Sequence, residues 1–189
     1  MNRKNVTREI AFGAVCAALA YGLSWIKLFE MPMGGSITAF SFLPLILYAY
    51  AFGIWRGFIV GTAYGLLQLT QPFWIVHPVQ FLLDYSLGFS CVCLAGLPPL
   101  RKKNYALLIG IAVVGIARFI VGTLSGIFFF WEYAGADALT WKNLGPITAY
   151  SSAYNATYVF VDIALVFGAA LVLLLSASFK YLLRLMKGS

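Results

Sequence analysis

Three formal charges interrupt otherwise apolar stretches of this 189-residue sequence: Asp84, Arg118 and Asp162. A charge in hydrocarbon costs at least about 2.5 kcal/mol on insertion scales, so each must face protein, a partner or a cavity. Arg118 and Asp162 sit about 13 and about 16 residues in from the same side of their apolar runs, deep enough to meet each other. Two chemistries suit such a pair: a structural ion bridge between helices, or the coupling residues of an ion-driven carrier. Asp84 is only about six residues in, too shallow to join them. Around that depth fall Phe73, Trp74, Tyr85, Phe130, Trp131, Tyr133, Trp141, Tyr150, Tyr154 and Tyr158. Membrane proteins build aromatic belts at this level whatever their task. A carboxylate among π faces is also what a pocket for a flat organic cation needs, each ring adding roughly 0.5–2 kcal/mol of cation–π attraction. Tyr150 and Asn155, five residues apart on one helix, add an amide that both donates and accepts, which suits a heteroaromatic edge.

Other chemistry lacks its residues. His77 is the sole histidine and precedes Pro78, the pattern of a helix start rather than a ligand. The sequence has no G-x-S-x-G, no H-E-x-x-H and no Walker A loop, so no catalytic residue, metal ligand or cofactor is expected, and the chain cannot itself hydrolyse ATP. Cys16, Cys91 and Cys93 lie in apolar runs and read as packing thiols.

The elements that position these residues are membrane helices. With 62% hydrophobic, 17% aromatic and only 10% charged residues, the chain cannot clothe a water-soluble surface. That excludes a soluble enzyme, a disordered chain and a nucleic-acid-binding domain, despite a net charge of +7. Apolar runs between breakers predict an all-α integral membrane protein, one domain over 1–189 with six transmembrane helices near 9–29, 38–54, 57–75, 78–98, 105–131 and 146–178. Continuous runs argue against dyadic β-strands. The first run, about 19 residues, exceeds a signal-peptide core and is kept as a helix. Arg3, Lys4, Arg8, Arg56, Arg101, Lys102, Lys103, Lys180, Arg184 and Lys187 all fall on one side if six spans alternate, against Lys27 and Lys142 on the other. The positive-inside rule then makes both termini cytoplasmic. Ala11, Ala14, Ala18 and Gly22 form a small-residue stripe on the first helix, suited to close packing within the chain or to a separate membrane subunit. No inverted repeat is evident, which favours a docked subunit over a self-sufficient carrier.

The blocks His77-Pro78-Val79-Gln80-Phe81-Leu82-Leu83-Asp84-Tyr85 and Tyr150-Ser151-Ser152-Ala153-Tyr154-Asn155-Ala156-Thr157-Tyr158 resemble the thiamine-specific substrate-binding (S) component of energy-coupling factor (ECF) transporters. Met31-Pro32-Met33-Gly34-Gly35-Ser36 and Leu124-Ser125-Gly126-Ile127-Phe128-Phe129 look like the same family, in the same order along nearly the whole chain. The resemblance implies a multi-pass protein of the prokaryotic plasma membrane. It would bind thiamine or a close analogue from outside and dock onto an ECF module, a transmembrane coupling protein plus two ATPases. It implies that Asp84 meets the cation with Tyr85 following, and that Trp74, Phe130 and Tyr150 supply aromatic walls. Gly126 would offer its backbone, Asn155 its amide, Ala14 and Ala18 a docking face, and about Phe29–Thr38 an external lid. One departure stands out: the family commonly has histidine where this chain has Gly122.

Overall fold

A computed structural model describes residues 3–101, 103, 105–176 and 178–187. Lys102 and Asn104, part of the basic break before the fifth run, lie outside the described residues. The order is α1 (Arg3–Ser24), a hairpin of β1 (Lys27–Glu30) and β2 (Ser36–Thr38), α2 (Phe42–Phe52), α3 (Ile54–Leu67), α4 (Pro78–Gly96), α5 (Ala106–Phe129), α6 (Leu144–Leu175) and α7 (Ser178–Lys187). Among the described residues, four helices are long and apolar enough to cross a bilayer: Val6–Ser24 of α1, α4, α5 and α6. Exposed Leu87 of α4, Ile116 of α5 and Val172 of α6 give these helices apolar outward faces, as suits a lipid surrounding.

The expected boundaries move in four places. The first run leaves helix at Ser24, and its tail becomes the hairpin, pairing Phe29 with Ile37 and Glu30 with Ser36. Gly34 turns that hairpin at φ +99°, a conformation glycine adopts without steric cost. The break between the second and third runs falls at Gly53, φ +101°, so Trp55, Arg56 and Gly57 lie inside α3 rather than between helices. The third run stops being α-helix at Leu67 instead of reaching residue 75, because Pro72 ahead offers no amide proton and disfavours helix before it. The sixth run ends at Leu175, and a separate helix α7 follows, turning Phe179, Leu183 and Met186 inward at helical spacing.

Helix α2 is the hub. At 11 residues it is about 16 Å long, and nine of its residues are buried, so it is apolar all round. Its closing carbonyls, unpaired at any helix end, are met by Arg101, whose Nε donates to Tyr50 O at 2.8 Å and NH2 to Ala51 O at 2.6 Å. Arg56 Nε pairs with Glu9 Oε2 at 2.6 Å at that same end, opposite the hairpin.

Close approach elsewhere depends on glycine. Gly57, Gly61 and Gly65 recur every four residues on α3: an added Cβ at 57 would sit 2.6 Å from Ala49 Cβ of α2 and 3.0 Å from Cys93 Cα of α4, at 61 it would sit 2.8 Å from Phe89 O, and at 65 1.8 Å from Tyr85 O. On α5, Gly115, Gly122 and Gly126 face α6 in the same way, with Ile163, Asn155 and Ser151 in contact range. Such stripes let backbones meet where no hydrophobic effect drives helices together.

Candidate binding site

Helix α4 begins at His77, whose Nδ1 accepts from Val79 N at 3.1 Å, and the ring stacks on Phe129 at 5.1 Å. One turn later the helix widens into a π-turn over Leu82–Leu87, a distortion frequent at functional sites. Asp84 lies in that turn. Gln80, one helical turn earlier and almost wholly buried, donates from Nε2 to Asp84 Oδ2 at 2.5 Å and to Trp74 O at 3.2 Å. Its Oε1 accepts from Val76 N at 3.2 Å, and Trp74 N donates to Tyr85 Oη at 3.1 Å. The loop that carries Trp74 is thus fixed to the turn that carries Asp84 and Tyr85.

The facing wall is the α5–α6 seam. Ser151 Oγ donates to Thr123 O at 2.9 Å, directly against bare Gly126. Asn155 Nδ2 donates to Ser151 O at 2.9 Å, and its Oδ1 accepts from Tyr158 at 2.8 Å. Deeper in the seam Arg118 NH1 meets Asp162 Oδ2 at 3.2 Å, while the guanidinium lies 3.9 Å above the Phe42 ring. Asp162 Oδ1 also accepts from Thr38 N at 2.9 Å and Thr38 Oγ1 at 3.0 Å, anchoring the hairpin's end to α6. The other end of the hairpin is held by Tyr154, whose hydroxyl donates to Pro32 O and accepts from Gly35 N at 3.3 Å.

Between these walls lies a cavity of about 160 Å³. Trp74, Asp84, Tyr85, Gly126, Phe130, Tyr150 and Asn155 all line it, drawn from four separate stretches of sequence. Of the ten aromatics expected near this level, Tyr154 and Tyr158 join the lining, whereas Phe73, Trp131, Tyr133 and Trp141 do not. Arg118 and Asp162 reach the lining as a pair. Lys27 reaches it too and is bridged to Glu30 at 2.6 Å. Among the described residues, Asp84 is therefore the lining charge with no ionic partner. Ala11, Ala14, Ala18 and Gly22 stand apart, all exposed along one side of α1 beside Val15 and Leu19. No group of three or more His, Cys, Asp or Glu among the described residues could hold a metal.

Sequence reasoning missed several lining groups. Gln80 was detectable, because a residue four before Asp84 on a helix shares its face. Ser125, neighbour of Gly126 in the lining, had no distinguishing signal. Thr38, Gly35 and Phe42 reach the cavity only through the hairpin's fold-back, which no periodicity announces.

The model of the family described as thiamine transporter protein (Thia_YuaJ) matches residues 10–182. The chain is 29% identical over 163 residues to the thiamine transporter ThiT of Bacillus subtilis (strain 168), covering 80% of each sequence. Its fold matches a solved structure of ThiT from Listeria monocytogenes at TM-score 0.67 and 23% identity, covering 98% of this chain and 99% of that one. A match over nearly the full length, together with several apolar helices, makes this a multi-pass protein of the cell membrane that belongs to the thiamine transporter protein family.

Proposed function

We propose that this chain is a thiamine-binding S component of an ECF transporter, one six-span domain over 1–189 with both termini cytoplasmic. The observation that carries the reading is a carboxylate in an aromatic cavity that, among the described residues, has no ionic partner. Asp84 lacks an ionic partner while Lys27, Arg118 and Asp162 each have one, so a cationic ligand completes the charge balance. Trp74, Phe130 and Tyr150 are the walls on which flat rings stack, Tyr85 backs the carboxylate, and Asn155 with the Gly126 backbone meets polar edges. The hairpin held by Tyr154 closes the mouth and opens by letting go of that hydroxyl.

The exposed stripe Ala11, Ala14, Ala18 and Gly22 is the face for a membrane partner, the ECF module of a coupling protein and two ATPases, which supplies the energy this chain lacks. Titrating thiamine against intrinsic tryptophan fluorescence tests binding, since Trp74 stands in the wall. Saturable quenching in the nanomolar-to-micromolar range is expected, and no response to thiamine, its phosphates or its pyrimidine precursor overturns the ligand. Uptake into vesicles is expected only with the ATPase module present; uptake without it overturns the docked-subunit reading.

A further inference from the structure

The seam between Gly122, Asn155 and Tyr158 fixes a hydrogen-bond polarity on the cavity wall. Ser151 O, a carbonyl, can only accept, so the Asn155 atom 2.9 Å away is the amide nitrogen. Its oxygen then faces Tyr158 and Gly122. An amide oxygen cannot donate, so the Tyr158 hydroxyl spends its one proton there, at 2.8 Å. What Tyr158 Oη has left to offer the cavity it lines is lone pairs only.

Gly122 is what allows this orientation. A Cβ at 122 would stand 2.3 Å from Asn155 Oδ1 and 3.1 Å from its Cγ. Asn155 is buried and bonded at both ends of its amide, so it cannot yield without breaking one of those bonds. Tyr158 itself is seated from the other side by the hairpin, because Gly35 packs so close that its Cβ would be 2.9 Å from the ring.

We propose that Tyr158 Oη accepts an N–H from the ring amino group of the ligand, with Gly122 and Asn155 as the positioning residues that hold it in the accepting sense. This rests on the thiamine reading above and adds a selectivity to it. A ligand presenting a carbonyl at that edge meets an acceptor with an acceptor and is rejected, as sites built on buried polar partners reject the wrong group.

The test compares thiamine with oxythiamine, whose amino group is replaced by a carbonyl, by tryptophan quenching of the full chain in detergent. Wild type is expected to prefer thiamine by about tenfold or more, and Tyr158→Phe to bring the two within about threefold. Gly122→Ala is expected to do the same by displacing the amide, and it carries the comparison if Tyr158→Phe does not fold. The thiamine-to-oxythiamine ratio is the readout, because a purely structural loss weakens both ligands alike and leaves that ratio where it was. An unchanged preference in the foldable variants, or none in wild type, overturns the proposal. Absence of any thiamine quenching in wild type instead overturns the ligand reading.

Discussion

Replacing Asp162 by alanine should be among the most damaging single changes in the chain. Its side chain is 1% exposed and accepts three hydrogen bonds: two from Thr38 at 2.9 and 3.0 Å and one from Arg118 at 3.2 Å. All three bonds end on one ionised carboxylate at about 1.5–3 kcal/mol each, and because they share that group the low end of the sum, about 4.5 kcal/mol, applies. That agrees with about 3–5 kcal/mol for breaking a buried ion pair, where the dominant loss is the charge left behind. Arg118 keeps the Phe42 face at 3.9 Å, worth about 0.5–2 kcal/mol, which places the expectation near the lower bound, about 3 kcal/mol. Asp162→Asn preserves an acceptor for Thr38 and removes the charge, so about 2 kcal/mol is expected. Arg118→Met strands the carboxylate and should cost about as much as the alanine variant. Because both single changes remove one interaction, the Asp162→Asn and Arg118→Met double variant should cost less than their sum by about 1–3 kcal/mol. Equilibrium unfolding in SDS titration, followed by circular dichroism, yields all four free energies. Additive losses, or an alanine variant within about 1 kcal/mol of wild type, would refute the pairing as the source of stability.

Two further changes probe the cavity itself. Asp84→Asn keeps the shape and a partner for Gln80 but removes the unpaired charge, and should weaken thiamine about tenfold to a hundredfold by fluorescence titration. A neutral aminopyrimidine fragment should bind that variant as well as wild type, and an equal loss for both ligands would assign Asp84 a role in shape instead. Gly65→Ala drives a methyl to within 1.8 Å of Tyr85 O and must push α4 away from α3. Overpacking of this kind costs about 1–3 kcal/mol or more in SDS unfolding, and here it should also lower thiamine affinity because the shifted turn carries Asp84.

Charge and aromaticity are legible in the sequence because both are expensive or conspicuous in a membrane. A charge at the depth of Asp84 needs a partner or a cavity, and the depth of Arg118 matches that of Asp162; the structure puts those two 3.2 Å apart and, among the described residues, leaves Asp84 in the cavity lining without an ionic partner. His77 before Pro78 likewise opens α4 as its type suggests. Helix ends were less legible, since a run stays apolar whether or not it stays helical: Lys27–Glu30 reads like the tail of a span and forms a strand. The helix after the sixth run is marked by Phe179, Leu183 and Met186 at spacings of four and three, a short apolar stripe that stands out weakly beside a long apolar run.

The glycines make the harder case. Gly57-x-x-x-Gly61-x-x-x-Gly65 stood in the sequence as plainly as the alanine stripe of α1, yet glycine is common in membrane helices and the spacing alone does not say which neighbour comes close. The decisive quantity is contact: Tyr85 O fills the place of the Gly65 side chain, so the π-turn that holds Asp84 leans into α3. Gly122 follows the same logic on the opposite wall. Seen only as a missing imidazole, it suggests empty space; in the folded chain Asn155 Oδ1 occupies that space and passes its orientation to Tyr158. Glycine there is a requirement imposed by α6, so the polar group that lines the cavity sits on a different helix from the one where a side chain at 122 would have stood.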